Sequence, residues 1–203
     1  MHRTFDARRI EAEVITMLSR GRDPDTGEEF VFFYGHEVLF SQWHPAPFTL
    51  AGAPFPTAEH WMMAAKALLF RDVEMLGAIL VAPHPREAKA LGRKVRNFDD
   101  AIWKARSADL VYAGNDAKLA APERRDVLLA TKGATLVEAS PRDRIWGIGL
   151  GASHPDACRR ARWRGQNRLG RVLTELRDDW LAERADARAA RALEGLELAW
   201  LAR

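Results

Sequence analysis

Glu59 and Lys66 lie seven residues apart in the run Pro56-Thr57-Ala58-Glu59-His60-Trp61-Met62-Met63-Ala64-Ala65-Lys66. On a helix that spacing sets a carboxylate and an ammonium on one face, two turns apart, with Met62 and Met63 between them. Thr57 suits an N-cap, so Glu59 falls in the first turn, where exposed N–H groups and the helix dipole favour an ionised carboxylate. A carboxylate so placed can stabilise a nearby cation or orient water. A lysine against an apolar wall can hold an anion or, with a lowered pKa, act as an amine nucleophile. The plainer use of both is as helix decoration, Glu59 at the start and Lys66 lying along the surface.

A second constellation is Ser140-Pro141-Arg142-Asp143-Arg144-Ile145-Trp146-Gly147-Ile148-Gly149-Leu150-Gly151-Ala152. It matches G-x-G-x-x-A in form, but a dinucleotide fold needs a strand directly before the motif and a helix opening from it. Here charged residues precede it and His154-Pro155 follows, so the spacing predicts a tight loop. In such a loop Trp146 offers a stacking face and Asp143 an acceptor for hydroxyl or amino groups; an apolar corner capped by Asp143 fits the composition equally. The third is Arg164-Gly165-Gln166-Asn167-Arg168-Leu169-Gly170-Arg171, where Asn167 is a natural N-cap for a terminal helix and the neighbouring arginines suit a phosphate. A solvated helix face also explains such a run. His44, His84 and His154 each precede proline and Cys158 is the single cysteine, so no metal and no other cofactor is expected.

These residues need a scaffold that is mostly helical. Helices are expected near 57–70, 72–82, 85–96, 98–120 and 122–131, punctuated by Pro83, Pro85, Asn97 and Pro122, with a long Ala- and Arg-rich helical pattern from 167 to 203. Strands are expected over 29–34, 48–50 and 134–139, an ordered loop over Phe40–Phe48, and a peripheral helix over 7–20 followed by a turn. The chain is therefore expected to be α+β, mainly α-helical: one domain over 29–177, preceded by an N-terminal helix and turn (1–28) and followed by a C-terminal helical extension (178–203). Its 203 residues, 47% of them hydrophobic, suffice for one sizeable core. Against 28 acidic side chains stand 31 Lys and Arg, so bulk charge does not argue for nucleic acid. No apolar run is long enough to span a membrane, and the lone cysteine suits a reducing compartment; a cytoplasmic protein is expected.

In order along the chain, several short stretches resemble the NADAR family of YbiA-like N-glycosidases. They are Phe40-Ser41-Gln42-Trp43-His44-Pro45-Ala46-Pro47-Phe48, Pro56–Trp61 with Lys66, Ala88-Lys89-Ala90-Leu91-Gly92-Arg93, Leu128–Thr131, Leu136–Ser140, Asp143 with Trp146–Gly149, and Gly165–Gly170. The resemblance implies hydrolysis of a bond between ribose C1 and nitrogen, on ribosylamino-pyrimidine phosphates of riboflavin synthesis or on ADP-ribosylated guanine. It carries the catalytic glutamate onto Glu59 and pocket positions onto Lys66, Asp143, Trp146 and Asn167. Trp43 stands in the matching loop, and Arg93, in the matching helix, is the expected phosphate contact. The chain departs from the family pattern at Gln42, Trp43-His44, Met63, Ala65 and Arg142; loss of two glutamines at Met63 and Ala65 removes amide donors from the wall and bears on substrate identity.

Cleavage of that bond passes through an oxocarbenium-like sugar. Glu59 would stabilise it and orient water, while Lys66 would hold a phosphate or sugar hydroxyl, or attack C1 of the opened ribose to form a Schiff base. The expected partner is a small ribosyl phosphate or ADP-ribosyl substrate, with ADP-ribosylated nucleic acid as a further form. A non-catalytic module that binds ADP-ribose is the alternative.

Overall fold

The computed structural model describes residues 18–202. In chain order the elements are β1 (Ser19–Arg22), β2 (Glu29–Phe33), β3 (Phe48–Leu50), β4 (Ala53–Phe55), α1 (Ala58–Leu69), α2 (Val73–Leu80), α3 (Pro85–Gly92), α4 (Asp100–Leu119), α5 (Pro122–Leu129), β5 (Thr135–Glu138), α6 (Arg168–Leu181) and α7 (Ala185–Leu193). The chain is α+β and mainly helical. Most of the helix expected over 7–20 lies outside the described residues; its last two positions, Ser19 and Arg20, instead open β1.

Contacts group the chain into two compact units: residues up to Phe40 with Leu119–Asp178, and Ser41–Lys118 with Asp179–Arg203. The first is built on a three-stranded sheet in the order β1-β2-β5. β1 runs antiparallel to β2, with Ser19 opposite Phe32, and β5 runs parallel to it, with Phe30 opposite Thr135. As the central strand, β2 buries Phe30, Val31, Phe32 and Phe33 together, so it is a continuous apolar run rather than an alternating one. Phe30, Phe32, Val137, Ala139, Ile148, Leu150 and Ala157 form the core on this sheet, with Trp163 tilted against Phe30 at 5.3 Å. Pro122 opens α5 where its missing N–H costs nothing. Arg177 of α6 is buried, and its guanidinium donates to the carbonyls of Thr131 (2.8 Å) and Ala134 (2.6 Å), satisfying the chain between α5 and β5.

The second unit opens with the β3–β4 hairpin, closed by Ala51 and Gly52, both in the left-handed region (φ 51° and 81°) as a two-residue primed turn requires. Trp61 of α1 is fully buried, and its Nε1 donates to the Leu110 carbonyl of α4 at 2.7 Å. Gly114 makes room for that ring: a Cβ there would stand 2.1 Å from the indole. Asp72 caps α2 through Met75 N and pairs with the Arg96 guanidinium. At the far end of α4, Tyr112 donates to Asp179 (3.1 Å), and Trp180 Nε1 donates to Asp116 (2.7 Å). The terminal helical pattern is broken at Glu183 (φ 57°), leaving α7 and a short 3-10 turn, Leu198–Ala202, in place of one long helix. Among the described residues, no helix is long and apolar enough to cross a membrane.

Candidate active site

Thr57 is extended and its hydroxyl oxygen accepts from His60 N at 3.4 Å, the cap expected from the sequence. The same hydroxyl lies 2.8 Å from His60 Nδ1, and His60 Nε2 lies 3.1 Å from the Ala82 carbonyl. A carbonyl only accepts, so Nε2 carries the proton and Nδ1 accepts from Thr57. Burial pushes the His60 pKa down, which keeps the ring neutral in this role. The start of α1 is thus locked to the end of α2 by an uncharged relay.

Glu59, one residue inside that start, is 3% exposed. Its N–H donates to the Gln42 carbonyl at 2.9 Å, so the loop before β3 satisfies a first-turn donor. That loop is held in turn by α4. Gln42 Nε2 donates to Asn115 Oδ1 (3.2 Å), Asn115 Nδ2 donates to the Val111 carbonyl (2.8 Å), and the fully buried Lys118 donates to the Ser41 carbonyl (2.7 Å). Trp43 follows, half-buried, its N–H on the Ser41 hydroxyl. Across from them Lys89 of α3 brings its Nζ to 3.9 Å from Glu59 Oε1 and 5.8 Å from the Trp43 ring. The structure therefore gathers a buried carboxylate, an ammonium and an indole face within one unit.

Lys66 stands two turns after Glu59 on the same helix. Its Nζ donates to the Gly92 carbonyl at 2.8 Å, capping the C-terminal end of α3, and lies 4.0 Å from the Phe98 ring and 5.7 Å from Trp103. Burial holds the Lys66 amine below the ordinary lysine range. Met62 and Met63 are buried, as the apolar wall requires, and Met63 packs directly on Gly92. Arg93 follows the end of α3 and is exposed.

Asp143, Trp146 and Asn167 belong to the other unit. Asp143 Oδ1 accepts from the N–H groups of Ile145 and Trp146, both at 2.8 Å, and its carbonyl accepts from Gly149 N, so it organises its own loop. Trp146 is half-buried with the Arg168 guanidinium 5.0 Å from its ring. Gly165 is required where it stands, since a Cβ would meet the Gly147 carbonyl at 2.3 Å. Asn167 corrects the expectation of an N-cap side chain and phosphate contact. It is 1% exposed at φ 51°; its Oδ1 accepts from Glu138 N and its Nδ2 donates to the Leu136 carbonyl, each at 2.9 Å. Both amide groups are committed to β5, and only its backbone carbonyl serves α6, through Arg171 N.

Lys89, Asn115 and Lys118 also stand around Glu59 and its loop, and the sequence pattern does not single them out. The signal for Lys89 was the pair Ala88 and Gly92, small residues four apart that let α3 approach α1 closely. Residues 115 and 118 share a face of α4, but the loop they hold has no periodicity to reveal it.

A family model described as the NADAR domain matches residues 32–181. A protein named as an N-glycosidase from Acanthamoeba polyphaga mimivirus is 40% identical over 164 residues, covering 75% of this chain and 96% of that protein. The riboflavin biosynthesis protein PYRR of Zea mays, chloroplastic, is 32% identical over 137 residues, 63% of this chain and 20% of that protein. The NMR structure of the E. coli protein YbiA superposes with a TM-score of 0.63 at 28% identity, covering 80% of this chain and 88% of that one.

Proposed function

Because the chain belongs to the NADAR family, we propose that it is an N-glycosidase that hydrolyses the bond between ribose C1 and nitrogen, with Glu59 as its central carboxylate. The observation that carries the proposal is the burial of Glu59 at the start of α1 beside the Lys89 ammonium and the Trp43 indole. A sugar losing its base at C1 develops positive charge, and a fixed carboxylate beneath it stabilises that charge and orients the attacking water. Trp43 supplies a flat apolar face for the base or sugar.

Two substrate classes follow from the resemblance: ribosylamino-pyrimidine phosphates and ADP-ribosylated guanine. The similarity to a protein named for riboflavin biosynthesis supports the first. Lys66 is proposed either to hold a phosphate or sugar hydroxyl as a cation or to attack C1 of the opened ribose as an amine. Burial lowers the pKa of its amine, the direction that nucleophilic use would need. Arg93, exposed beyond α3, is the proposed phosphate contact, and Trp146 with Asp143 are proposed as substrate contacts of their own loop.

Incubation of the purified protein with each substrate class, with free base quantified by chromatography, tests the reaction. Release of base that is lost in Glu59→Gln supports it. Tight calorimetric binding of ADP-ribose with no product over long incubation would establish a binding module instead. Borohydride reduction during turnover tests Lys66, since only a Schiff base leaves a stable adduct on that residue.

A further inference from the structure

We infer that Lys89 is the positioning residue for Glu59: its ammonium keeps the carboxylate charged and aimed, and the reaction depends on it through Glu59. The inference rests on the reading of Glu59 given above. Three features of the geometry carry it.

First, the two side chains are unequal. Glu59 is 4% exposed at its side chain and Lys89 is 39% exposed, so a buried, fixed anion meets a cation with a path to solvent. A buried carboxylate needs a compensating charge or hydrogen bonds to stay ionised, and a cation within about 4–6 Å supplies that charge. Second, the separation of 3.9 Å exceeds the roughly 2.7–2.9 Å of a closed ammonium–carboxylate hydrogen bond. Lys89 therefore acts on Glu59 as a nearby charge rather than through a short bond. Third, the ammonium is aimed. Ala88 and Gly92 are buried, Gly92 abuts Met63, and the Gly92 carbonyl receives Lys66, so α3 is fastened to α1 about one turn beyond Lys89. The Trp43 ring lies 5.8 Å from the same ammonium.

Other titratable groups of this unit near the start of α1 include His60, Lys66 and Lys118, each with a carbonyl partner. His60 is on the Ala82 carbonyl, Lys66 on the Gly92 carbonyl, and Lys118 donates to the Ser41 carbonyl.

The test is steady-state kinetics of base release from a ribosylamino-pyrimidine phosphate by wild type, Lys89→Met, Lys89→Arg and Glu59→Gln. Lys89→Met is expected to lower kcat roughly 10-fold or more with KM held within about 2-fold, and Lys89→Arg, which keeps the charge, to recover most of the loss. An activity-free reading comes from carboxyl-13C-labelled glutamate, with the Glu59 signal assigned through Glu59→Gln. In Lys89→Met its titration midpoint should rise by about one pH unit or more. Unchanged kcat and an unmoved midpoint in Lys89→Met would overturn the inference, as would a loss confined to KM, which would make Lys89 a substrate contact. Wild-type activity in Glu59→Gln is a separate outcome: it removes the reading of Glu59 whatever Lys89 does.

Discussion

Gly92→Ala probes the seam on which the candidate site depends. In α3 a Cβ at this position would lie 2.1 Å from Met63 Sδ, 2.8 Å from its Cγ and 3.1 Å from its Cβ. The thioether is flexible and can swing away, but Met63 Cβ moves only with the α1 backbone, so α1 and α3 must separate by a few tenths of an ångström. Overpacking of this kind costs about 1–3 kcal/mol, offset by up to about 1 kcal/mol from the better helix propensity of alanine. A net loss of about 1–2 kcal/mol corresponds to a fall in Tm of roughly 2–8 °C for a chain of this size. The separation also lengthens the Lys66–Gly92 hydrogen bond, 2.8 Å in the native protein, and displaces Lys89, which rides on the same helix. Catalytic loss should therefore exceed what the unfolded fraction explains at 25 °C. Calorimetry paired with base-release kinetics measures both. A variant as stable as wild type, with full kcat, would refute the claim that the approach at Gly92 positions the site.

Asn167→Ala should be among the most damaging changes in the first unit. It removes the partner of the Glu138 N–H and of the Leu136 carbonyl and puts an alanine at φ 51°, for a loss of roughly 3–5 kcal/mol measurable by urea unfolding; Asn167→Asp should also destabilise, because a buried carboxylate cannot donate to the Leu136 carbonyl. Asp72 is held at about 2 by the Arg96 guanidinium, against burial that pushes the other way. Its folded pKa lies below the unfolded one, so its contribution to stability is present above about pH 4 and fades as pH falls from there toward 2. The stability gap between wild type and Asp72→Asn, followed by thermal melts across that window, should close as acid is added. A constant gap would contradict the assignment.

Much of the helical frame was legible from sequence because its signals are local. The Thr57 cap, Pro85 and Pro122 at helix starts, and the helical spacing between them placed α1 to α5 within a few residues. What escaped depends on partners distant in sequence. Ser19–Arg22, with one glycine between charged and polar residues, has no apolar alternation; it is a strand because β2 offers it an edge. Ala53–Phe55 carries Pro54 and is recognisable only through its pairing with β3. Asn167 looked like a cap because asparagine caps helices, whereas its neighbour in space, β5, takes both halves of the amide. At the site, Glu59 was identifiable because its position in the first turn is local. The approach of Lys89 was not, because Lys89 reaches Glu59 only once α3 packs on α1 at Gly92.

The most direct measurement is the rate of free-base release by wild type and Glu59→Gln on the same ribosyl substrate, with Tm recorded for both. The account predicts release by wild type, a fall of roughly 10³-fold or more in the variant, and melting points within a few degrees of each other. Equal rates in the two proteins would contradict it.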